Sequence, residues 1–242
     1  MVRIGTAGWS IPRVVAERFA GEGTHLERYG RVMDCAEINS TFYRPPRVST
    51  WAKWAASVPA GFRFAVKAPK TLTHEAQLDC SSAMIADFID AAALLGEKLG
   101  PLLFQLPPKL AFERSRAEAF LGQLREGFGG AVVLEPRHAS WFSGEVSELL
   151  AKYRVGRVAA DPARVAEAAE PGGLRGLIYY RLHGSPRTYY TAYTTEYLDR
   201  LAEMIAAHPS DSEIWVVFDN TASGAALHNA LELKDKLLLN AL

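Results

Sequence analysis

Residues 131–138 read AVVLEPRH. A run of apolar, largely β-branched residues leads into a carboxylate, a proline, a guanidinium and an imidazole. Such a run is apolar on both faces, which suits a parallel strand sandwiched between two apolar layers. The charges arrive only where the strand ends. The same figure recurs at 2–9 (VRIGTAGW), 35–43 (CAEINSTFY), 62–68 (FRFAVKA), 101–106 (PLLFQL), 155–161 (VGRVAAD), 177–183 (LIYYRLH) and 213–219 (EIWVVFD). Strand starts follow one another at about 30 residues, the size of one βα unit. Eight such units fill the 242 residues, and eight units in about 250 residues make a (β/α)8 TIM barrel. The expected fold is α/β, one TIM-barrel domain spanning 1–242. The rival is an open doubly wound sheet, which needs a glycine-rich phosphate loop after its first strand. Gly5-Thr6-Ala7-Gly8 lacks the third glycine and runs into Trp9.

Between the strands lie amphipathic stretches. Residues 83–98 place Met84, Ile85, Phe88, Ile89, Ala92 and Leu95 on one stripe, with Ser82 as the expected N-cap. Ser115 and Glu118 have capping-box spacing. Ser143 is placed to cap a helix carrying Val146, Leu149 and Leu150, and 195–207 and 222–239 complete the set. Trp51 and Trp54, three apart on a helix, read as core. Segment 162–173 is Ala-rich, ends in Pro-Gly-Gly and has room for one or two turns only.

Composition removes several classes. Lys and Arg total 27 against 27 Asp and Glu, so the strongly basic balance typical of phosphate-backbone binders is missing. A local basic patch stays open. No apolar run approaches the ~18 residues that span a bilayer. Residues 2–9 read as a strand rather than a signal peptide, so a cytoplasmic protein without a membrane partner is expected. Two cysteines, Cys35 and Cys80, make no disulfide framework.

The strand ends carry the chemistry. They hold Glu37 and Asn39, Lys67, Gln105, Glu135 with Arg137, Asp161, Arg181 with His183, and Asp219 with Asn220. Residues two apart share a face of a strand. A charge facing outward would lie unpaired beneath a helix, at a cost. The cheaper arrangement points these groups into the C-terminal mouth, where barrel active sites lie. A purely structural ion network is the competing reading. Buried charges stabilise poorly compared with an apolar layer, so a set this large favours a ligand.

These motifs resemble a known family. Gly5-Thr6-Ala7-Gly8-Trp9, Glu37-Ile38-Asn39-Ser40-Thr41-Phe42-Tyr43, Phe62-Arg63-Phe64-Ala65-Val66-Lys67 and Leu103-Phe104-Gln105-Leu106-Pro107-Pro108 are similar to strands of the YecE-like group. So are Glu135-Pro136-Arg137-His138, Arg181-Leu182-His183-Gly184 and Phe218-Asp219-Asn220-Thr221. The resemblance runs over essentially the whole chain. It implies a TIM-barrel protein of a bacterial and archaeal group of unknown function, and it implies no reaction.

From the residues themselves, Lys67, Arg137 and Arg181 are the expected anion holders, since guanidinium groups grip phosphate or carboxylate in bidentate fashion. Arg44 and Arg187 lie in adjoining loops. Asn39, Tyr43, Gln105 and Asn220 are expected to orient the ligand. Glu37, Glu135 and Asp219, with His183, are the expected acid–base groups, one carboxyl having a raised pKa in a low-dielectric mouth. His74 is a further candidate, whereas His138 has the wrong parity. Tyr189, Tyr190 and Tyr193 suggest a lid. No organic cofactor is expected. A divalent metal is an option the residues do not favour, because a cation at Arg181 repels the ion and no HExxH or CxxC spacing exists. Two readings stay open. One is a hydrolase or isomerase acting on a small anionic, phosphorylated and hydroxylated molecule. The other is a non-catalytic binder of a nucleotide or nucleic acid through the Arg/Tyr surface. Exchange of Arg181 or Glu135 is expected to abolish function and spare the fold. Nothing here sets the oligomeric state.

Overall fold

The computed structural model describes residues 1–239. Its strands are β1 (Val2–Ala7), β2 (Cys35–Ile38), β3 (Arg63–Lys67), β4 (Leu99–Gln105), β5 (Val132–Glu135), β6 (Val155–Arg157), β7 (Ala159–Asp161), β8 (Gly172–Gly173), β9 (Leu177–Leu182) and β10 (Glu213–Phe218). All join one sheet in the order β7-β9-β10-β1-β2-β3-β4-β5-β6-β8, and every pairing except β6 with β8 is parallel. β6 and β7 are two halves of the sixth barrel strand. They part at Val158, whose N–H donates to the Leu134 carbonyl at 2.9 Å. One half pairs with β5 and the other with β9, so the ring closes through the break. The structure is an α/β TIM-like barrel.

The helices are α1 (His25–Gly30), α2 (Val48–Ala56), α3 (Ser82–Ala93), α4 (Arg114–Gly127), α5 (Gly144–Lys152), α6 (Thr195–Ala206) and α7 (Ala225–Leu239). Trp51 is buried on α2 and Trp54 packs beside it. Two expected caps differ. α3 is capped by Ser81, one residue earlier than expected, and it stops at Ala93 before a 3-10 turn over Gly96–Lys98. α4 is capped not by Ser115 but by Glu113, which accepts from the N–H groups of Ser115 and Arg116 at 3.0 and 3.1 Å. A carboxylate two residues earlier reaches two orphan donors at the positive helix end. Ser143 caps α5 as expected. The sixth unit has no α-helix: 162–173 holds one 3-10 turn, Ala166–Ala169, and strand β8. Arg157 replaces helix packing there, donating to the carbonyls of Glu167 and Glu170.

Strand alternation sorts the core into two. Outward residues such as Ile4, Phe64, Phe104, Leu134, Tyr180 and Phe218 pack under the helices. Inward residues Cys35, Ala65, Leu103, Val133, Tyr179 and Val217 fill the barrel lumen as a separate apolar cluster. Gly5 admits close approach of β2: a Cβ there would stand 1.9 Å from the Cys35 carbonyl oxygen. Both cysteines are free and buried.

Candidate functional site

One step of the two-residue period carries each inward strand from lumen to mouth. Glu37 follows Cys35, Lys67 follows Ala65, Gln105 follows Leu103, Glu135 follows Val133, Arg181 follows Tyr179 and Asp219 follows Val217. The polar side chains therefore stack as a layer directly above the apolar plug. Thr41 ties two of the strand ends together, its Oγ1 donating to the carbonyls of Ile38 and Lys67 at 3.0 and 2.6 Å.

Arg181 is the hub and is fully buried. Its Nη2 lies 2.7 Å from Glu37 Oε1 and 2.9 Å from Asp219 Oδ2. Its Nε donates to Glu37 Oε2 at 3.0 Å, and its Nη1 to Glu135 Oε2 at 3.1 Å. All three guanidinium nitrogens thus face carboxylates, which leaves no free fork for a ligand. The expectation that Arg181 grips the anion is corrected: its donors are already committed to the protein's own acids. The hydroxyl of Tyr179 completes the set by donating to Glu37 Oε2 at 2.8 Å.

His183 bridges two of these acids. Its Nδ1 is 3.0 Å from Asp219 Oδ2 and its Nε2 is 2.9 Å from Glu135 Oε1. Arg137 reaches in from above, with Nη2 2.5 Å from Glu135 Oε1 and 2.7 Å from His183 Nε2. The ring of Tyr189 stands edge-on over His183, centroids 5.8 Å apart, on a backbone with φ of 70°.

Electrostatics reverse the expected raised carboxyl. Burial pushes the Glu135 carboxyl up, but Arg137, Arg181 and His183 together hold it well below the usual carboxylate range. Asp219 is held low in the same way, chiefly by Arg181 against its own burial. The neighbouring acids in turn raise Arg181 against burial. The group brought near neutrality is Lys67, lowered to about 8 by burial and by Arg181. Its ammonium sits 4.3 Å from the centre of the Phe42 ring. Three acids (Glu37, Glu135, Asp219) thus meet three Arg and Lys side chains (Arg181, Arg137, Lys67), with His183 bridging two of the acids.

The remaining candidates divide. Gln105 lies at the cluster edge, its Oε1 accepting from Arg181 Nη1 at 3.4 Å. Asn39 has a buried Oδ1 without a partner, and Arg137 has a buried Nε without one. Asn220 does not reach the cluster: its amide donates to the Thr191 carbonyl and to Asn229, stitching the loop after β9 to α7. Tyr43 does not reach it either, being 76% exposed and turned outward beyond Phe42. His138 caps a 3-10 turn through Ser140. Of the three expected lid tyrosines, Tyr193 is buried and bonds Asp161, Tyr190 is exposed and packs on Arg187, and Tyr189 covers the cluster. His74 stands edge-on to Phe42, and burial with Lys67 nearby lowers its pKa.

Above the cluster opens a cavity of about 510 Å³ lined by Gln105, Pro108, Arg137, Pro162, Arg164 and Tyr189, among others. Sequence reasoning missed Arg164. Parity put Tyr179 on the face of Arg181 but gave it no role. Among the described residues, no group of three or more His, Cys, Asp or Glu is disposed to hold a metal ion. Glu135, His183 and Asp219 have the donor types, but the Arg137 and Arg181 guanidinium groups stand among them. No helix among the described residues is long and apolar enough to cross a membrane.

A TIM-like barrel whose C-terminal mouth holds a buried, Arg-centred ion cluster is the class that fold and site define. The chain belongs to the DUF72 family: the model described as "Protein of unknown function DUF72" matches residues 3–241. It is 31% identical to the UPF0759 protein YecE of Escherichia coli K12 over 177 residues, 71% of this chain and 62% of that protein. The chain therefore spans under two thirds of that relative. It is 23% identical to the UPF0759 protein YunF of Bacillus subtilis, covering 98% of this chain and 95% of that one. Among solved structures, a DUF72 protein of Enterococcus faecalis V583 superposes with a TM-score of 0.83 at 22% identity, over 98% of this chain and 96% of that one. A DUF72 protein of Thermotoga maritima gives 0.81 at 27% identity, over 98% and 99%.

Proposed function

We propose that this protein binds a small anionic, hydroxylated molecule in the mouth cavity and converts it by proton transfer, as a hydrolase or isomerase without an organic cofactor. The observation that carries this reading is the cavity of about 510 Å³ whose wall residue Arg137 touches both Glu135 and His183. That volume falls within the usual range for small-molecule sites, about 300–1,000 Å³. Arg137 and Arg164 supply cations on its wall, and guanidinium forks suit phosphate or carboxylate.

Roles follow from the electrostatics. Glu135 and Asp219 stay ionised at neutral pH and hold the imidazole of His183 from both sides. An acid or base works best with a pKa near the working pH. Lys67, at about 8, meets that condition, so we assign it proton transfer in place of simple charge pairing, although it stands behind the residues that line the cavity. Arg181 and Glu37 position the acids from beneath.

Calorimetric titration with inorganic phosphate, sugar phosphates and hydroxycarboxylates, followed by NMR of each mixture over time, tests the reading. We expect one class to bind. Arg137→Ala should weaken its binding roughly tenfold or more, the loss of a charge-assisted pair. Lys67→Gln should keep binding and lose turnover. Absence of binding by every class at millimolar concentration would overturn the proposal.

A further inference from the structure

Between Glu37 and Glu75 the chain carries no acidic residue, yet Arg44, Arg47, Lys53, Arg63, Lys67 and Lys70 all fall in that interval. In a chain of zero formal charge this is a local excess of positive groups. Packing disperses part of it. Lys67 enters the mouth, and Lys70 pairs with Glu75 at 2.8 Å. Arg63 donates to the carbonyls of Ala60 and Phe62 at the far end of β3. Arg44, Arg47 and Lys53 remain: all three are exposed, and among the described residues none has an ion-pair partner; Lys53 lies outside the groove that the two arginines line.

These two arginines line a groove of about 1030 Å³ together with Tyr43, Pro45, Pro46 and Trp54. It shares no lining residue with the mouth cavity. Tyr43 offers an aromatic face to solvent, and Phe42 braces its edge with ring centroids 5.0 Å apart. Trp54 is held by Trp9 and Trp51 at 5.3 and 5.5 Å. The two prolines fix their own φ angles between the arginines, so the platform is rigid before anything binds.

We propose that this groove binds single-stranded nucleic acid, with bases stacked on Tyr43 and Trp54 and backbone phosphates on Arg44 and Arg47. A cationic groove combined with aromatic platforms is the chemistry that recognises unpaired strands, because every base has a stacking face. The volume exceeds what one nucleotide fills, and the open shape lets a strand run through. Paired bases hide their faces, so a duplex gains only the phosphate contacts. The site is separate from the one under Proposed function and does not depend on it.

Fluorescence anisotropy with labelled 12-nucleotide dT and U strands over a series of salt concentrations tests this. Each neutralised phosphate on a single strand contributes about 0.7 to the slope of log affinity against log salt. The double variant Arg44→Gln/Arg47→Gln should therefore flatten the slope by about 1.4. Tyr43→Ala should weaken binding roughly tenfold, as lost stacking does, with the slope unchanged. Tryptophan fluorescence should quench on binding. All three side chains are exposed, so unchanged circular dichroism will confirm folding. A slope indifferent to the double substitution would place any binding elsewhere and overturn the proposal. So would a duplex, or inorganic polyphosphate of equal charge, binding as tightly as the strand.

Discussion

Replacing Arg181 with methionine keeps an unbranched stem, two atoms shorter, and removes the charge. Glu37, Glu135 and Asp219 then face Arg137, Lys67 and the bridging His183, with the central permanent cation gone, in a layer where Glu37 and Glu135 are wholly buried. Removing one partner of a buried ion pair costs about 3–5 kcal/mol, because a charge is stranded. The least costly response is for one acid to take up a proton. At pH 7 an ordinary carboxyl, with a pKa near 4, must be driven about three units, which costs about 4 kcal/mol. At pH 5 the same step costs about 1 kcal/mol. In the native protein Glu135 and Asp219 are depressed, so their contribution is present above the ordinary carboxyl range and is lost as pH falls through their folded values. In the variant one acid titrates above its unfolded value, so stability is present below that value and lost as pH rises. The penalty should therefore be largest at neutral pH and shrink by about 3 kcal/mol on acidification to pH 5. Urea unfolding followed by tryptophan fluorescence at both pH values measures it. A loss below about 1 kcal/mol at pH 7, or a loss equal at both, would refute the account of Arg181 as the hub. Exchange of Arg181 is thus expected to cost stability as well as function, because its donors hold three buried or nearly buried acids.

Three further outcomes follow from the same structure. Lys67 binds its proton less tightly folded than unfolded, so stability should rise as pH climbs from about 8 toward 10.5, and Lys67→Met should abolish that rise; amine acylation at pH 8 should also favour Lys67 over lysines with ordinary pKa values, read by peptide mass. Phe104 is wholly buried between Phe88 and Phe120, so Phe104→Ala should cost about 3–5 kcal/mol in urea unfolding. Gly5→Ala sets a methyl against the β2 backbone, and a loss of about 3 kcal/mol or failure to fold is expected, measured by the thermal midpoint.

The barrel was readable because parallel strands between two apolar layers leave an uninterrupted signature, and 131–134 shows it in four residues before the charge at Glu135. Inward orientation was readable too, since parity from Val133 to Glu135 and from Tyr179 to Arg181 needs no coordinates. Cap positions were less so: Glu113 and Ser115 both offer an oxygen, and only the path of the loop decides which one meets the free N–H groups. Pairing was least visible. That Arg181 faces three acids, with sequence separations of 144, 46 and 38, depends on which strands stand across the lumen. Polarity at a strand end revealed that a charge was there, but neither its partner nor the sign of its pKa shift. The same limit applies to Tyr43 and Asn220, whose loops turn them away after the strands have ended.

The polar layer is not what closes this barrel. Below it the lumen is already filled by Leu103, Val133, Tyr179, Trp215 and Val217, all buried. Above it, a second apolar layer would satisfy the outward packing equally well, and such replacements are often neutral or stabilising by about 1–4 kcal/mol. Keeping Glu37, Glu135, Asp219, Arg181, Arg137 and Lys67 instead forgoes that gain. A matched set of acids and bases avoids stranded charge while the mouth is free of ligand. It also keeps Arg137 on the cavity wall and Lys67 close to its titration point. On the reading proposed above, an anion arriving at a pH near 8 meets a half-protonated Lys67 and favours its charged form, so binding there takes up part of a proton.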